Sequence, residues 1–304
     1  MEEWIRRFLE QLPATKAYAA NTVAAYRVDL FQFYNFVTLT RPNVQAWSRV
    51  DKSLLLEYII HLRQRGYSPS SLSRKIAALK TFFAFLTEQR HLASDPTETL
   101  DTPRVNRATP RSLSAAEVER LLAALPADDS PKAVRDRALM QVLAATGLRV
   151  SELIALDLAD VVRDTQTLRC RGERHTAREL PVNAQAWAAL VAYLEQTRVK
   201  INGARTGNAL FLNMAGGRLT RQGLWVIVKG CVHAAGIDRA VTPYTLRHSF
   251  ATRLLSEGQG LEQVQQLLGH SNKTTTNKYT VTAGTSAPAE TQLHKRGENN
   301  GILR

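Results

Sequence analysis

Two arginines in this sequence sit where an arginine is costly or unusual. The first lies in Thr242-Pro-Tyr-Thr-Leu-Arg-His-Ser-Phe-Ala-Thr-Arg-Leu-Leu, which reads as a helix. On a helical wheel Leu246, Phe250 and Leu254 span an arc of about 80°, and Arg247 falls about 20° beyond Leu254, before Ala251. A guanidinium on an apolar arc is expensive unless something pairs with it. Either a structural carboxylate serves it, or Arg247 lines a site for an anion with Tyr244 one turn away. His248, at the edge of the arc, reads as structural or exposed. The second arginine is in Thr146-Gly-Leu-Arg-Val-Ser-Glu-Leu. Gly147 stops one helix and Arg149 stands where the next begins, a position where a cation opposes the helix dipole. A bound anion there favours both the arginine and the free N–H groups; a surface ion pair with Glu152 is the plainer alternative. A third motif, Leu267-Leu-Gly-His270, precedes Tyr279 by nine residues. Taken singly, such a histidine is usually structural and such a tyrosine usually core.

The elements that must hold these residues are mainly α-helical with a small β-sheet, an α+β chain. In residues 1–100, Asn21 is expected to cap a helix carrying Val23, Tyr26, Leu30, Phe33 and Val37, and Asp51 the next, which ends at Gly66. Ser68-Pro69 opens a helix whose face is Leu72, Ile76, Leu79, Phe83 and Leu86; its other side carries Ser73, Arg74 and Lys80. That side is either a solvated face or one presented to phosphates. Residues 101–111 have no apolar period, two prolines and the arginines Arg104, Arg107 and Arg111, which marks a basic linker. Ser114 and Glu117 form a capping-box signature that starts a second domain over 112–283. Within it, Ser130-Pro131 opens a helix through Ala144, Thr167–Cys170 and Glu179–Val182 read as strands joined by a polar turn, and a helix is expected from about Ala184 to Thr197. Ala209-Leu-Phe-Leu is a strand or a buried loop, and helices resume from Arg221. Residues 284–304 read as a C-terminal tail.

The 304 residues carry 40 Lys and Arg against 27 Asp and Glu, a formal charge of +13. Residues 1–100 hold 13 basic and 9 acidic side chains, so the remainder holds 27 and 18, and both parts are basic. With 44% hydrophobic residues this is a folded basic protein rather than a disordered tail, and a polyanion is the expected partner. Two cysteines, Cys170 and Cys231, build neither a disulfide framework nor a cysteine-rich zinc site, so a reducing compartment is expected. The longest apolar run, Ala186–Leu194, is nine residues, well short of the ~20 that a membrane helix needs. The opening Met1-Glu-Glu-Trp-Ile-Arg-Arg has no signal-peptide apolar stretch.

Taken together, the Arg149, Arg247, Leu267-Leu-Gly-His270-Ser and Tyr279-Thr motifs resemble the signature of tyrosine site-specific recombinases, the phage integrase family, with the bacterial Xer recombinases as the nearest members. The resemblance covers almost the whole chain. It implies a helical core-binding domain over 1–100 and a catalytic domain from 112. It implies that a tyrosine hydroxyl attacks a DNA phosphodiester to give a 3′-phosphotyrosine and a free 5′-hydroxyl, with no cofactor, metal or ATP. By resemblance Arg149 and Arg247 grip the scissile phosphate as rigid forks of donors, His270 assists, and Tyr279 is the nucleophile. Duplex DNA with specific sites, a homotetramer on paired sites (alone or with a related recombinase), and a bacterial, cytoplasmic, nucleoid-associated location are implied as well. Arg74, Lys80 and the linker arginines would hold the duplex.

Two positions depart from the family pattern. Tyr244 stands where the His-x-x-Arg motif has histidine; a phenol can donate a hydrogen bond to phosphate but is a poor base near neutrality. Arg171-Gly172 stands where the family has a Lys-Gly that protonates the leaving 5′-oxygen, and no lysine occurs between Lys132 and Lys200. Arginine stabilises charge but gives up a proton reluctantly; His175 in the following turn is a different candidate acid, or an exposed turn residue. The leading reading is an active recombinase using Arg171 in place of the lysine. A catalytically impaired, sequence-specific DNA-binding relative is the alternative. A helix-turn-helix regulator leaves the arginine on the apolar arc unexplained, and a type IB topoisomerase shares the chemistry but is the more distant resemblance.

Overall fold

A computed structural model describes residues 1–16, 18–103, 112–171, 177–201 and 207–269. Of the sequence candidates, Arg104, Arg107, Arg111, His175, His270 and Tyr279 lie outside the described residues. The chain divides into two compact units, Met1–Ala108 and Thr109–Arg304.

The first unit holds four helices: α1 (Glu2–Lys16), α2 (Ala20–Thr40), α3 (Lys52–Gln64) and α4 (Pro69–Glu88). Local chemistry starts two of them as expected. The Asp51 carboxylate accepts the Leu54 N–H at 2.9 Å, and Ser68 caps α4 with Pro69 in its first turn. The α2 boundary differs from the expectation. Ala19 is its N-cap, without a side-chain cap bond, and Asn21 lies inside the helix. Aromatic rings build the core: Trp47 stands 5.0 Å from Phe82 and Phe33 4.9 Å from Tyr58, centroid to centroid. The α4 face Leu72, Ile76, Leu79, Phe83 and Leu86 is buried in it. Periodicity did not reveal the polar bolt beside this core. Lys75 and Asp29 are both buried, and the Lys75 ammonium bonds the Asp29 carboxylate at 2.8 Å. Arg74 reaches the other Asp29 oxygen and the Ala25 carbonyl, so part of its charge already serves the fold. Lys80 is half-buried.

The second unit contains α5 (Ala115–Ala123), α6 (Pro131–Thr146), α7 (Val150–Ala155), β1 (Val161–Val162), β2 (Thr167–Arg171), β3 (Ala177–Pro181), α8 (Ala184–Ala192), α9 (Arg221–Ala234), α10 (Pro243–Ser256) and α11 (Leu261–Leu268). The Ser114–Glu117 capping box forms in both directions, and Ser130 caps α6. Buried residues occur all round α6, which packs on α8 and α10 and forms the centre of this unit. The sheet is antiparallel in the order β1-β2-β3, with Cys170 opposite Arg178 and Arg171 opposite Ala177. Its third strand consists of β3 two residues ahead of the expected start, because β3 pairs residue for residue with β2 down to Thr167 opposite Pro181. β1, two residues long, was below any sequence signal.

Two further elements depart from the periodic reading. The helix expected to Thr197 ends at Ala192 and continues as a π-helical turn, Tyr193–Thr197. There the buried Tyr193 hydroxyl donates to the Leu210 carbonyl at 3.2 Å and accepts the Leu212 N–H at 3.1 Å. The Ala209–Leu212 segment is buried and makes single bridges, Asp157 to Ala209 and Leu212 to Arg218, in place of a ladder. Arg198 donates to the Ala209 and Leu210 carbonyls, which satisfies a backbone that no strand pairs.

The bolt in the first unit gives a direct check. Asp29→Ala leaves a buried ammonium without its carboxylate and is expected to cost about 3–5 kcal/mol of unfolding free energy. Urea melting of the full chain measures it. A loss below about 1 kcal/mol, the scale of an exposed pair, would show that the pair is not a structural element.

Candidate active site

Three short segments meet in the second unit: the turn between α6 and α7, the middle of α10, and the end of α11. Gly147 closes α6 in the left-handed region at φ +59°. It is needed there twice over, since a Cβ would also lie 2.5 Å from Phe250 Cδ1. The turn then delivers Arg149 to the N-cap of α7, with Glu152 three residues on accepting the Arg149 backbone N–H at 2.8 Å. On α10, Thr242 caps and Pro243 fills the first turn, which places Arg247 facing the α6–α7 turn.

Arg247 is buried, and backbone carbonyls are its near partners. Its Nη1 donates to the Gly147 carbonyl at 2.8 Å and its Nη2 to the Leu268 carbonyl at 2.6 Å, while Glu152 Oε2 stands 3.8 Å away. Arg149 is 30% exposed; its Nη1 bonds Glu152 Oε1 at 2.9 Å and the Leu268 carbonyl at 3.3 Å, and its Nη2 the Gly269 carbonyl at 2.9 Å. The Arg149–Glu152 pair read from sequence as a surface contact is thus half of a larger buried cluster. Its third guanidinium is Arg178 of β3, bidentate on Glu152 at 3.0 and 2.9 Å and bonded through Nε to the Leu267 carbonyl at 2.8 Å. Sequence reasoning missed Arg178. The available signal was strand alternation, which puts it on the same face as buried Leu180.

One carboxylate therefore serves three arginines. Burial pushes the Glu152 carboxyl up, but the Arg178 hydrogen bonds, the Arg149 N–H and the surrounding positive charge outweigh it, and its pKa ends below the ordinary carboxylate range. Glu152 stays ionised and the cluster keeps a positive surplus at the surface where Arg149 opens to solvent. Such a cluster has the chemistry to hold an anion, with planar donors already oriented. Nearby Cys170 is no nucleophile: burial and the Glu152 charge push its thiol up to about 11. His248 is buried rather than exposed, and burial lowers its pKa.

The structure brings Arg149 and Arg247 together, with shared bonds to the Leu268 carbonyl. Tyr244 is 48% exposed, one turn ahead of Arg247. Arg171 is not drawn into the cluster. It ends β2 with its side chain 76% exposed and 3.8 Å from Asp160. Among the described residues the cluster reaches as far as Gly269, the residue before His270. Gly269 takes φ +63° and caps α11.

Losing the shared carboxylate is measurable. At neutral pH Glu152→Gln is expected to cost about 3–5 kcal/mol, the scale for stripping one partner from a buried ion pair. A depressed carboxylate pKa stabilises the fold above the ordinary carboxylate range, and that contribution disappears as pH falls through the lowered value. Melting curves against pH should therefore converge for the parent and the variant on the acid side. Parallel curves down to full acid unfolding would rule out this role for Glu152.

The chain as a whole is similar to known proteins. Residues 111–284 match the phage integrase family, and residues 5–90 match the phage integrase N-terminal SAM-like domain. The chain is 41% identical over 97% of its length to the tyrosine recombinase XerC of Herpetosiphon aurantiacus, covering 96% of that protein. It is 37% identical over 92% of its length to the tyrosine recombinase XerD of Listeria monocytogenes, covering 94% of it. In fold it resembles the XerH site-specific recombinase bound to palindromic difH substrate, with a TM-score of 0.74, 20% identity, and 93% and 92% of the two chains covered. A family match over more than half the chain, together with relatives near 40% identity over almost all of it, means that this chain belongs to the phage integrase family of tyrosine recombinases.

Proposed function

We propose that this tyrosine-type site-specific DNA recombinase cleaves duplex DNA with Tyr279 as nucleophile on a phosphate gripped by Arg149 and Arg247. The observation that carries the reading is the buried Arg247. Two backbone carbonyls hold it beside Arg149, with Glu152 Oε2 at 3.8 Å, so its guanidinium is already oriented next to that of Arg149. Each guanidinium offers a fork to a non-bridging oxygen, where charge grows as the phosphorane forms. The Tyr279 oxygen gives up its proton to solvent and bonds to phosphorus, the bond to the 5′-oxygen breaks, that oxygen takes a proton from solvent to become a 5′-hydroxyl, and the 3′-phosphotyrosine stores the ester energy. A 5′-hydroxyl from a second strand reverses the step and joins new ends, so no external energy source enters. His270 supports the phosphate, and Tyr244 donates a hydrogen bond from the first turn of α10. Arg171, at the exposed end of β2, stabilises the leaving 5′-oxygen in the lysine's place.

The partner is duplex DNA carrying specific recombination sites. Arg74, Lys80, Arg104, Arg107 and Arg111 add sequence-independent attraction to the backbone. Exchange between two duplexes requires four strand cleavages, and with one nucleophile per chain this calls for four protomers on paired sites, all copies of this chain or shared with a related recombinase. The place of action is the bacterial cytoplasm, on the nucleoid. The domains that serve this are a core-binding domain over 1–100, a linker over 101–111, a catalytic domain over 112–283 and a tail over 284–304. Among the described residues no helix is long and apolar enough to cross a membrane.

A nicked suicide duplex, bearing a site enriched by binding from random sequence, tests the chemistry. The intact protein is expected to give a covalent adduct that migrates as a shifted band under denaturing conditions, and Tyr279→Phe to give none while still binding. An adduct from Tyr279→Phe would remove the nucleophile assignment; binding without any adduct from the parent would favour a DNA-binding protein that does not cleave. At the hairpin, Arg171→Lys should keep or raise the cleavage rate, whereas Arg171→Ala should lower it by about 10²-fold, the scale for one lost transition-state donor. If the lysine variant is as slow as the alanine variant, Arg171 does not act on the leaving group.

A further inference from the structure

Arg178 belongs to the active-site cluster but has no part in the cleavage chemistry described above. Its geometry assigns it one. The two oxygens of Glu152 are both fully used. Oε1 accepts from Arg149 Nη1 at 2.9 Å and Arg178 Nη1 at 3.0 Å; Oε2 accepts from the Arg149 backbone N–H at 2.8 Å and Arg178 Nη2 at 2.9 Å. A carboxylate oxygen has about two lone-pair sites, and Arg178 fills the second on each. Arg247 Nη1 waits 3.8 Å from Oε2. It is near enough to be drawn in by attraction that strengthens as the environment dries, and it is held off because its place is taken.

The same three arginines bind three consecutive carbonyls at the end of α11. Arg178 takes Leu267, Arg247 and Arg149 share Leu268, and Arg149 takes Gly269. Arg178 is the member of the set whose base is anchored in a ladder, opposite Cys170 in β2. The backbone is shaped around its head as well: a Cβ on Gly269 would lie 2.7 Å from Arg178 Nη1. A rigid bidentate fork with an anchored stem suits a part that must stay still while its neighbours bind substrate.

We propose that Arg178 is a positioning residue: by saturating Glu152 and pinning the Leu267 carbonyl, it keeps the guanidinium of Arg247 from collapsing onto the carboxylate and aims it at the scissile phosphate. This rests on the reading of Arg149 and Arg247 as the phosphate-binding pair. Without Arg178, the Arg247 head closes on Oε2 and turns away from the phosphate. A displacement of about 1 Å in such a group lowers a rate by about 10²-fold.

The experiment compares the parent, Arg178→Ala, Arg178→Lys and Arg247→Ala, as full chains, in adduct formation on the nicked duplex. One duplex carries a phosphodiester at the cleavage position and the other a neutral methylphosphonate, which lacks the charge that a correctly aimed arginine offsets. On the phosphodiester, Arg178→Ala should lose about 10²-fold in rate while binding the duplex as the parent does. Arg178→Lys, which cannot make the bidentate contact, should also be slowed. On the methylphosphonate, most of the deficit should disappear for the Arg178 variants and for Arg247→Ala alike. Parent-like cleavage of the phosphodiester by Arg178→Ala would overturn the proposal. So would an equal deficit on both duplexes for the Arg178 variants while Arg247→Ala is restored, because that pattern marks general loosening of the fold. Should Arg178→Ala not fold, the lysine variant decides by the same comparison. If Arg247→Ala is itself unimpaired, or is not restored, the phosphate-binding reading fails instead, and the two failures are told apart.

Discussion

A single buried carboxylate holds the catalytic unit together. Glu152 sits among Arg149, Arg178 and Arg247, which come from a turn, a strand and a helix remote in sequence. Burying one carboxylate is unfavourable, and burying guanidinium groups beside it is worse, unless every donor finds an acceptor. The solution here is mixed. The carboxylate takes the nearest donors, and the carbonyls of Leu267, Leu268 and Gly269 at the end of α11 take others. Those carbonyls are the ones a helix leaves unpaired at its C-terminus, and the helix dipole makes them good partners for cations. The end of α11 is therefore fixed by the same charges that are proposed to grip the phosphate, and His270 follows it directly in the chain.

Charge balance and function are linked by this arrangement. A neutral cluster would be more comfortable to bury but would not attract a phosphodiester. Three guanidinium groups with one carboxylate leave a surplus, and the half-open Arg149 brings it to solvent. Glycines make the close approach possible. Gly147 lets α6 end against Phe250, and Gly269 lets α11 end against Arg178. Both have positive φ, where a Cβ is strained even in open space. The first unit solves a similar problem differently. Lys75 and Asp29 are buried as an ion pair beside an aromatic core, with Arg74 on the same carboxylate, and this ties up part of the charge on a helix side that the sequence left open as solvated or facing phosphates.

Local signals were legible in the sequence wherever the physics is local. Asp51, Ser68-Pro69, the Ser114–Glu117 box, Ser130 and Gly147 each satisfy backbone groups within a few residues, so side-chain type alone marks the helix end. The apolar face of α4 follows from a repeat of 3.6. At α2 the reading slipped locally, since Ala19 rather than Asn21 precedes the helix. Elsewhere a distant group had intervened. Tyr193 bonds across to Leu210 and Leu212 as the helix widens, and β3 begins where β2 offers partners. Ala209–Leu212 did not resolve into strand or loop because its carbonyls are met by Arg198, the Leu219 N–H and Arg135, which no periodicity reports.

For the site, the sequence by itself marked two arginines in costly positions, because the cost of an arginine on an apolar arc or at a helix start is a property of the local chain. The histidine, the tyrosine and the arginine in place of a lysine at the hairpin were picked out only by the resemblance of their motifs to the family. Only the tertiary structure decided what each arginine touches. It turned the Arg149–Glu152 contact into a buried hub, gave Arg247 two backbone carbonyls at hydrogen-bond distance with the Glu152 carboxylate at 3.8 Å, and added Arg178, whose only trace in the sequence was its register with Leu180. Hydrogen bonds between groups a hundred residues apart depend on how α6, α10 and α11 pack, and no spacing along the chain encodes that distance.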